Sequence, residues 1–294
     1  MTSTDRLAAE FEAHRGHLHA VAYRMLGSLT EADDAVQETW LRLSGTGAGE
    51  VRALRAWLTT VVSRICLDML RARNARREDP LDVRVPDPVV TQPADDPEQH
   101  ALLADSIGLA LLIVLDTLSP SERLAFVLHD IFAVPFDQVG HILDRSPAAA
   151  KQLASRARHR LRSVRASAGD TARQQEMADA FLAASRAGDF DGLLAVLDPE
   201  VVLRADAGSG PFGPSRLVKG APQVAAQAGR YASLARYARP VLVNGTAGYL
   251  VAPNNQPLAL ISLTVRAGKI AEIDILADPA RLSRLRIPAP PSDR

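Results

Sequence analysis

FDQVGHILDRSPAAAKQLASRARHRLR, residues 136 to 162, reads as two helices joined by a short turn. In the first, Phe136, Val139, Ile142 and Leu143 recur at the spacing of one helical face; in the second, Ala150, Leu153, Ala157 and Leu161 do the same. The join carries its own stop and start signals. Ser146 stands at an N-cap position, and Pro147 follows at the first helical position, where a missing N–H costs nothing. From Lys151 to Arg165 the outward face holds Lys151, Arg156, Arg158, Arg160, Arg162 and Arg165 with no acid among them. That charge suits phosphates, and Lys151, Gln152 and Ser155 stand where they would reach base edges. A basic run alone fits a solvated amphipathic helix equally well. Cap, turn and periodicity together favour a helix-turn-helix.

Upstream of this pair, Ser119, Pro120 and Glu122 form a capping box ahead of a helix reaching Ile131, and Ala101 to Leu118 reads as another helix. Before them, Glu78 to Glu98 holds five prolines and seven acids with few large apolar residues, a composition expected not to order itself and read as a linker. The N-terminal part, roughly Leu7 to Arg77, reads as successive helices. Leu18, Val21, Ala22, Met25 and Leu26 form one apolar stripe closed by Gly27. Thr30 is expected to cap the next helix with Asp33 near its third position; Ala32, Val36, Trp40 and Leu43 then face inward. After a glycine-rich loop, Ser44 to Gly49, a long helix buries Leu58, Val61, Val62, Ile65 and Met69 and turns Arg64, Asp68 and Arg71 outward. Arg73, Arg76 and Arg77 extend its basic end.

The last part starts near Ala172 with a helix closed by Gly188 and a short helix from Phe190 to Leu197. Then the period changes: Val201 to Asp206, Pro240 to Asn244, Thr246 to Val251, Leu258 to Arg266 and Lys269 to Leu276 read as strands. Turn signals stand at Asn244-Gly245 and Ala267-Gly268, and a helix from Pro222 to about Leu234 follows the first strand. These elements predict a curved antiparallel sheet wrapped round helices, with a pocket at its open end.

Length and composition agree with several compact units, since 294 residues exceed the ~100–200 of one ordinary domain. The net charge of zero hides segregation: acids gather at Glu31 to Glu38 and Glu78 to Glu98, bases at Arg64 to Arg77 and Lys151 to Arg165. Partners of both signs are expected. The longest apolar run, Ile107 to Leu115, is far short of the ~20 residues that span a bilayer, and the N-terminus lacks a signal-like segment, so a cytoplasmic location is expected. Cys66 is the single cysteine, inside an apolar helical pattern, which excludes an internal disulfide and a cysteine-rich zinc site. All seven histidines, from His14 to His159, precede the last third, which therefore lacks the usual metal-binding and nucleophile-activating side chains.

Four stretches carry a family resemblance: DDAVQETWLRL at 33–43, RAWLTTVVSRICLDMLR at 55–71, LSPSERLAFVLHDIFAVPFDQVGHIL at 118–143 and SPAAAKQLASRARHRLR at 146–162. In this order they resemble the extracytoplasmic-function sigma factors of bacterial RNA polymerase, in the subgroup with a SnoaL-like domain fused at the C-terminus. The resemblance implies a multidomain fold: two all-α sigma domains, a helical bundle and a helix-turn-helix, then an α+β SnoaL-like cone with a curved antiparallel sheet. Residues 1–77 would be sigma region 2, 78–99 the linker, 100–167 sigma region 4, 172–285 the SnoaL-like regulatory domain and 286–294 a tail.

By that resemblance Asp33, Asp34, Gln37, Glu38 and Trp40 lie in the helix that docks on the clamp coiled coil of core polymerase, and an acidic face with an available aromatic makes a good hot spot. Trp40 as core with solvated acids around it fits the same residues. The helix from Trp57 to Arg73 would recognise the minus-ten element and hold the melted strand through Arg64, Asp68, Arg71, Arg73 and Asn74, with Arg76 and Arg77. Arg64 and Asp68 are also spaced for an ordinary intrahelical ion pair. Lys151, Gln152, Ser155 and Arg156 would enter the major groove of the minus-thirty-five element, while Arg158, Arg160 and Arg162 touch backbone. The acidic linker either runs through the polymerase cleft as a nucleic-acid mimic or serves as a plain tether.

In related fused sigma factors the third domain tunes activity through the linker and the sigma core. Here the linker has Pro86-Asp87-Pro88 without the family's tryptophan, the glycine loop reads Asp206-Ala207-Gly208-Ser209-Gly210, and Asp278-Pro279-Ala280-Arg281-Leu282 replaces the family's Asn-Pro-Asp-Lys segment. Gly208, Gly210 and Gly213 would also serve a simple tight turn. SnoaL-like domains include polyketide cyclases and isomerases, for which Asp206, Asp274, Glu272, Tyr231, Tyr237 and Tyr249 are the available acids and bases; a regulatory, non-enzymatic module fits better. No metal or organic cofactor is implied. The implied partners are core RNA polymerase and promoter DNA, with room for a small-molecule ligand in the C-terminal domain and no membrane. Two rivals remain: a ligand-responsive helix-turn-helix regulator acting without polymerase, and a cyclase-like enzyme carrying nucleic-acid-binding helices.

Overall fold

The computed structural model describes residues 3–46, 53–75, 83–91, 108–165 and 171–288. Arg76 and Arg77, the linker at 78–82 and 92–99, and the helix expected over 101–107 lie outside these, as do the side chains of Arg162 and Arg165. The chain divides into two compact units, Met1–Asp79 with Val114–Arg162, and Pro80–Ile113 with Ser163–Arg294.

The first unit is helical. In α1 (Ser3–Leu26) the stripe Leu18, Val21, Ala22, Met25 and Leu26 is fully buried. Leu18, Val21, Met25 and Leu26 each contribute about 1.5–3 kcal/mol by leaving water. Gly27 at φ +66° ends the helix, its N–H reaching the Tyr23 carbonyl at 2.8 Å. In α2 (Leu29–Thr46) the start differs from expectation: Thr30 is already inside the first turn, and the Ser28 hydroxyl accepts from the Glu31 N–H at 3.5 Å. Both residues are good caps, and the left-handed glycine before Ser28 selects it. The long helix α3 (Leu54–Ala75) buries Leu58, Val62, Ile65, Cys66 and Leu70, and burial pushes the Cys66 thiol up.

The chain reaches the second helical group through α4 (Leu109–Asp116). The capping box at α5 (Pro120–Phe126) forms as expected, and the helix runs on as a π turn over Val127–Ile131. Arg123, 2% exposed, pairs with Asp116 and donates to the Arg24 carbonyl at 3.1 Å, so a buried cation ties helices distant in sequence. Next come α6 (Phe136–Leu143) and α7 (Pro147–Arg165). Asp144 turns left-handed at φ +54°, and a Cβ on Gly140 would lie 2.7 Å from the Arg145 carbonyl oxygen, so the tight join requires glycine there. Ser146 caps α7 by accepting from the Ala149 N–H at 3.2 Å. The buried face of α7 is Ala150, Ala154, Ala157 and Leu161, with Leu153 half-buried at its edge.

The second unit packs helices on a seven-stranded sheet. Strand β1 (Val90–Thr91) comes from the linker, followed by α8 (Thr171–Ala187), α9 (Phe190–Val196), β2 (Leu197–Asp206), β3 (Arg216–Lys219), α10 (Ala221–Arg230) and α11 (Ala232–Ala235). Four strands then succeed one another: β4 (Ala238–Val243), β5 (Thr246–Val251), β6 (Ala259–Arg266) and β7 (Lys269–Leu276), before a last turn of helix, α12 (Pro279–Leu282). The two-residue turns fall where expected, with Asn244 and Gly245 at φ +50° and +76°, and Ala267 and Gly268 at +49° and +77°. Leu193, Leu197, Val201, Leu203, Val224, Ile270 and Ile273 form the core between helices and sheet.

Two expectations are corrected here. The sheet, ordered β1-β4-β5-β6-β7-β2-β3, is mixed, because β2 pairs parallel with β7, Leu203 opposite Ile273. Alternation along a strand reports its faces and not its neighbours, and a long crossover is what a parallel pair requires. The linker was expected to stay without order of its own, yet Val85, Pro86, Asp87, Pro88 and Val90 are buried and Val90 pairs with Val243. A segment too polar to form a core can still be ordered by a sheet edge that satisfies its backbone.

Candidate functional site

On α7, Lys151, Gln152 and Ser155 are exposed, and among the described residues Lys151 has no ion pair. The arginines further along are engaged. Arg156 and Arg160 each stand 3.4 Å from Glu122, and Arg158 donates to Asp130 at 3.1 Å. Burial works against the charge on Glu122, but hydrogen bonds from Ser119 and the two arginines hold its carboxyl below the usual carboxylate range. The basic row therefore splits into a free tip and a set of arginines with acids in reach.

On α3 the suggested Arg64–Asp68 pair does not form. Arg64 donates to the His141 carbonyl at 3.0 Å and lies 3.8 Å from Asp144, while Asp68 pairs with Arg71 at 3.4 Å. Arg73 is tied to Glu31 and to the Leu26 carbonyl. Exposed Arg71 and Asn74 remain as the outward polar groups of that end, with Asp68 beside them.

On α2, Asp33, Asp34 and Gln37 are exposed, and Glu38 pairs with Arg42 at 3.0 Å. Trp40 is half-buried, its ring 5.1 Å from that of Phe11, in the wall of a groove of about 230 Å³ that also takes in Arg15, Asp33, Val36 and Gln37. Trp40 is thus neither wholly core nor fully exposed. Leu41, the residue after Trp40 on α2, is 56% exposed and was not among the residues expected to dock. Its signal was available, since it falls off the inward stripe of Ala32, Val36 and Leu43.

The second unit brings the remaining candidates to one place. Asp206 Oδ2 accepts from the Val85 N–H at 3.1 Å and from Arg281 Nη1 at 2.6 Å. The same guanidinium donates through Nε to Asp87 at 2.8 Å and through Nη2 to the Val85 carbonyl at 2.6 Å. Asp278 caps α12 by accepting from the Ala280 N–H at 2.8 Å, which aims Arg281. Gly208 is at φ +48°, and a Cβ there would stand 2.3 Å from Asp278 Oδ2; one on Gly210 would be 2.8 Å from the Ala207 and Ala277 carbonyls. Pro86 and Pro88 flank the buried Asp87. Further along, the Val89 N–H donates to Asn244 Oδ1 at 2.9 Å, and the Asn244 N–H donates back to the Val89 carbonyl at 2.8 Å. Arg281 and Asn244 complete this contact, and the sequence did not single them out for it. One was hidden by the departure from the family pattern, the other by its role as a turn residue.

The acids and bases considered for catalysis do not converge. On β7, Ile273 and Ile275 line a cavity in this unit, so Glu272 and Asp274 point to the other face. There Arg204 holds them at 2.9 and 3.0 Å. Burial pushes the Asp274 carboxyl up to about 7 despite that arginine. Asp206 belongs to the linker contact. Tyr231 and Tyr249 do line the cavity, but Tyr249 donates to Asp179 at 3.1 Å and burial raises its hydroxyl further. Tyr237 is exposed beside Arg236.

This geometry meets its relatives at every level. Residues 11–76 match the model of Sigma-70 region 2 and residues 109–161 that of Sigma-70, region 4. The probable ECF RNA polymerase sigma factor SigI of Mycobacterium tuberculosis is 36% identical, over 97% of this chain and 98% of its own. ECF RNA polymerase sigma factor SigJ of the same species is 38% identical over 94% of this chain and 93% of its own. The crystal structure of SigJ superposes with a TM-score of 0.76, covering 95% of this chain and 99% of that one at 36% identity. The chain belongs to the ECF RNA polymerase sigma factors, with helical sigma domains followed by an α+β domain.

Proposed function

We propose that this sigma factor directs core RNA polymerase to its promoters through a division of surfaces within the first unit. The exposed acids of α2, with Trp40 and Leu41, dock on the polymerase; the outward end of α3 at Arg71 and Asn74 meets the minus-ten element. The free tip of α7 reads the minus-thirty-five element, while Arg156, Arg158 and Arg160 exchange their acids for DNA phosphates. The protein works in the cytoplasm, in keeping with the absence, among the described residues, of any helix long and apolar enough to cross a membrane.

The C-terminal domain sets the level of transcription by holding the linker. The observation that carries this is the Arg281 guanidinium between Asp206 of the domain and Asp87 of the linker. A segment built into the edge of one sheet is not available to any other surface at the same time, so releasing it should raise output. Run-off transcription with core polymerase tests both parts. Asp34→Arg should abolish transcript through lost core association, and Arg281→Ala should raise transcript from the same promoters. Unchanged core affinity in the first would reject the docking face; unchanged output in the second would reject control through the linker.

A further inference from the structure

The second unit has a partly open cavity of about 130 Å³ between α8, α10, α11 and one face of the sheet. Its emptiness comes from small side chains. Ala205, Ala235, Ala238, Ala259 and Ala277 stand in a wall whose other positions carry residues such as Leu203 and Ile273. A leucine at one of these alanines would restore the packing that a void forfeits. The hollow is thus a feature of residue choice.

Among the described residues the wall has one cation, Arg216, and no acid. Arg216 donates to the Phe212 carbonyl at 3.1 Å and to the Tyr231 hydroxyl at 3.0 Å, with its guanidinium 5.8 Å from the Tyr231 ring centre. The hydrogen-bond pattern turns the Gln227 amide oxygen toward it, accepting from Nη2 at 2.7 Å and Nε at 2.8 Å. All three acceptors are neutral, and among the described residues no carboxylate pairs with this arginine. A charge held by an apolar wall without a counter-ion favours an anion. Two donors stay unspent: the second Nη1 hydrogen and the Tyr231 hydroxyl proton, whose oxygen already accepts. Ser185 Oγ also lines the cavity, buried and with no partner among the described residues.

We propose that this cavity binds a small ring-sized organic acid, its apolar body in the alanine-walled space and its carboxylate on Arg216 and Tyr231. The volume suits one ring, since an engineered apolar cavity of about 150 Å³ holds benzene. The site goes beyond the transcriptional role and is tested without polymerase, so the two ideas fail separately.

The full chain is titrated by calorimetry with phenylacetate, benzoate and cyclohexanecarboxylate, and with neutral phenylacetamide, with unfolding temperature as a second readout. At least one acid should bind and raise the unfolding temperature, and phenylacetate should bind roughly tenfold tighter than its amide, as for a charge-assisted hydrogen bond. Arg216→Gln should level acid and amide, and Arg216→Lys should keep the acid preferred. Ala259→Phe should remove binding of both, and Ala205→Leu, a smaller filling, serves if the phenylalanine unfolds the domain. Absence of binding by all three acids at millimolar concentration would overturn the site, as would acid preference persisting in Arg216→Gln or full binding in the filled variants.

Discussion

Arginine serves opposite ends in the two units. On α7, Arg156 and Arg160 are 64% and 54% exposed, each 3.4 Å from the same Glu122, whose carboxylate is buried and already held by Ser119. In the second unit Arg281 is 18% exposed and closes on Asp87, Asp206 and a backbone carbonyl at once. An exposed cation that shares its carboxylate with a second arginine and a serine leaves at little cost, since the carboxylate keeps its other partners. A desolvated cation between two carboxylates is different: removing it strands charges that cannot reach water. The first arrangement suits a surface that must trade acids for phosphates, and the second suits a segment that must stay where it is put.

The largest effect expected from this contrast is Arg281→Ala. It removes the guanidinium that Asp87 and Asp206 share, at a cost of about 3 kcal/mol. Hydrogen exchange at the Val85 and Val89 amides should accelerate by about two orders of magnitude, and unchanged protection would show that the β1 pairing alone seats the linker. Next comes the free tip of α7. Lys151→Ala with Gln152→Ala should cost about 1–3 kcal/mol of discrimination between cognate and altered minus-thirty-five sequences, with core binding intact. Equal loss on every sequence would make those residues phosphate contacts instead.

A smaller effect concerns the inward charges of the sheet. Asp274 holds its proton more tightly folded, at about 7, than at its ordinary 3.8. Its contribution is therefore most favourable below pH 4 and is lost as pH rises from about 4 through about 7. Denaturant unfolding of Asp274→Asn across that window should show a weaker fall with pH than the unaltered chain, and parallel curves would remove Asp274 as the source. Smallest of all, Arg160→Gln should change stability by less than about 0.5 kcal/mol while lowering the salt slope of DNA binding by about one. A large stability loss would mean that the surface pair is structural after all.

Much of the candidate site was legible because its signals are local. The free tip of α7 follows from a cap at Ser146 and a run of spacing; the acidic face of α2 follows from residues that alternate with a buried stripe. What escaped were partnerships across sequence. Arg64 reads naturally as a partner for Asp68 one turn away, yet it reaches the end of α6. The linker's proline and acid content predicts solvation, and a distant asparagine, aspartate, arginine and sheet edge reverse it.

By itself the amino-acid order determined the helices, their caps at Ser119 and Ser146, the glycine-bearing turns and the change from helical to strand period, since each rests on atoms within a few residues of one another. Tertiary structure alone decided that β2 lies parallel to β7, that residues 83–91 are held by the third domain's sheet, and that an alanine-walled space stays open around Arg216. Those outcomes depend on which surfaces meet once the chain has collapsed. Buried polar groups must then take whatever partner is within reach, and no local propensity names that partner in advance.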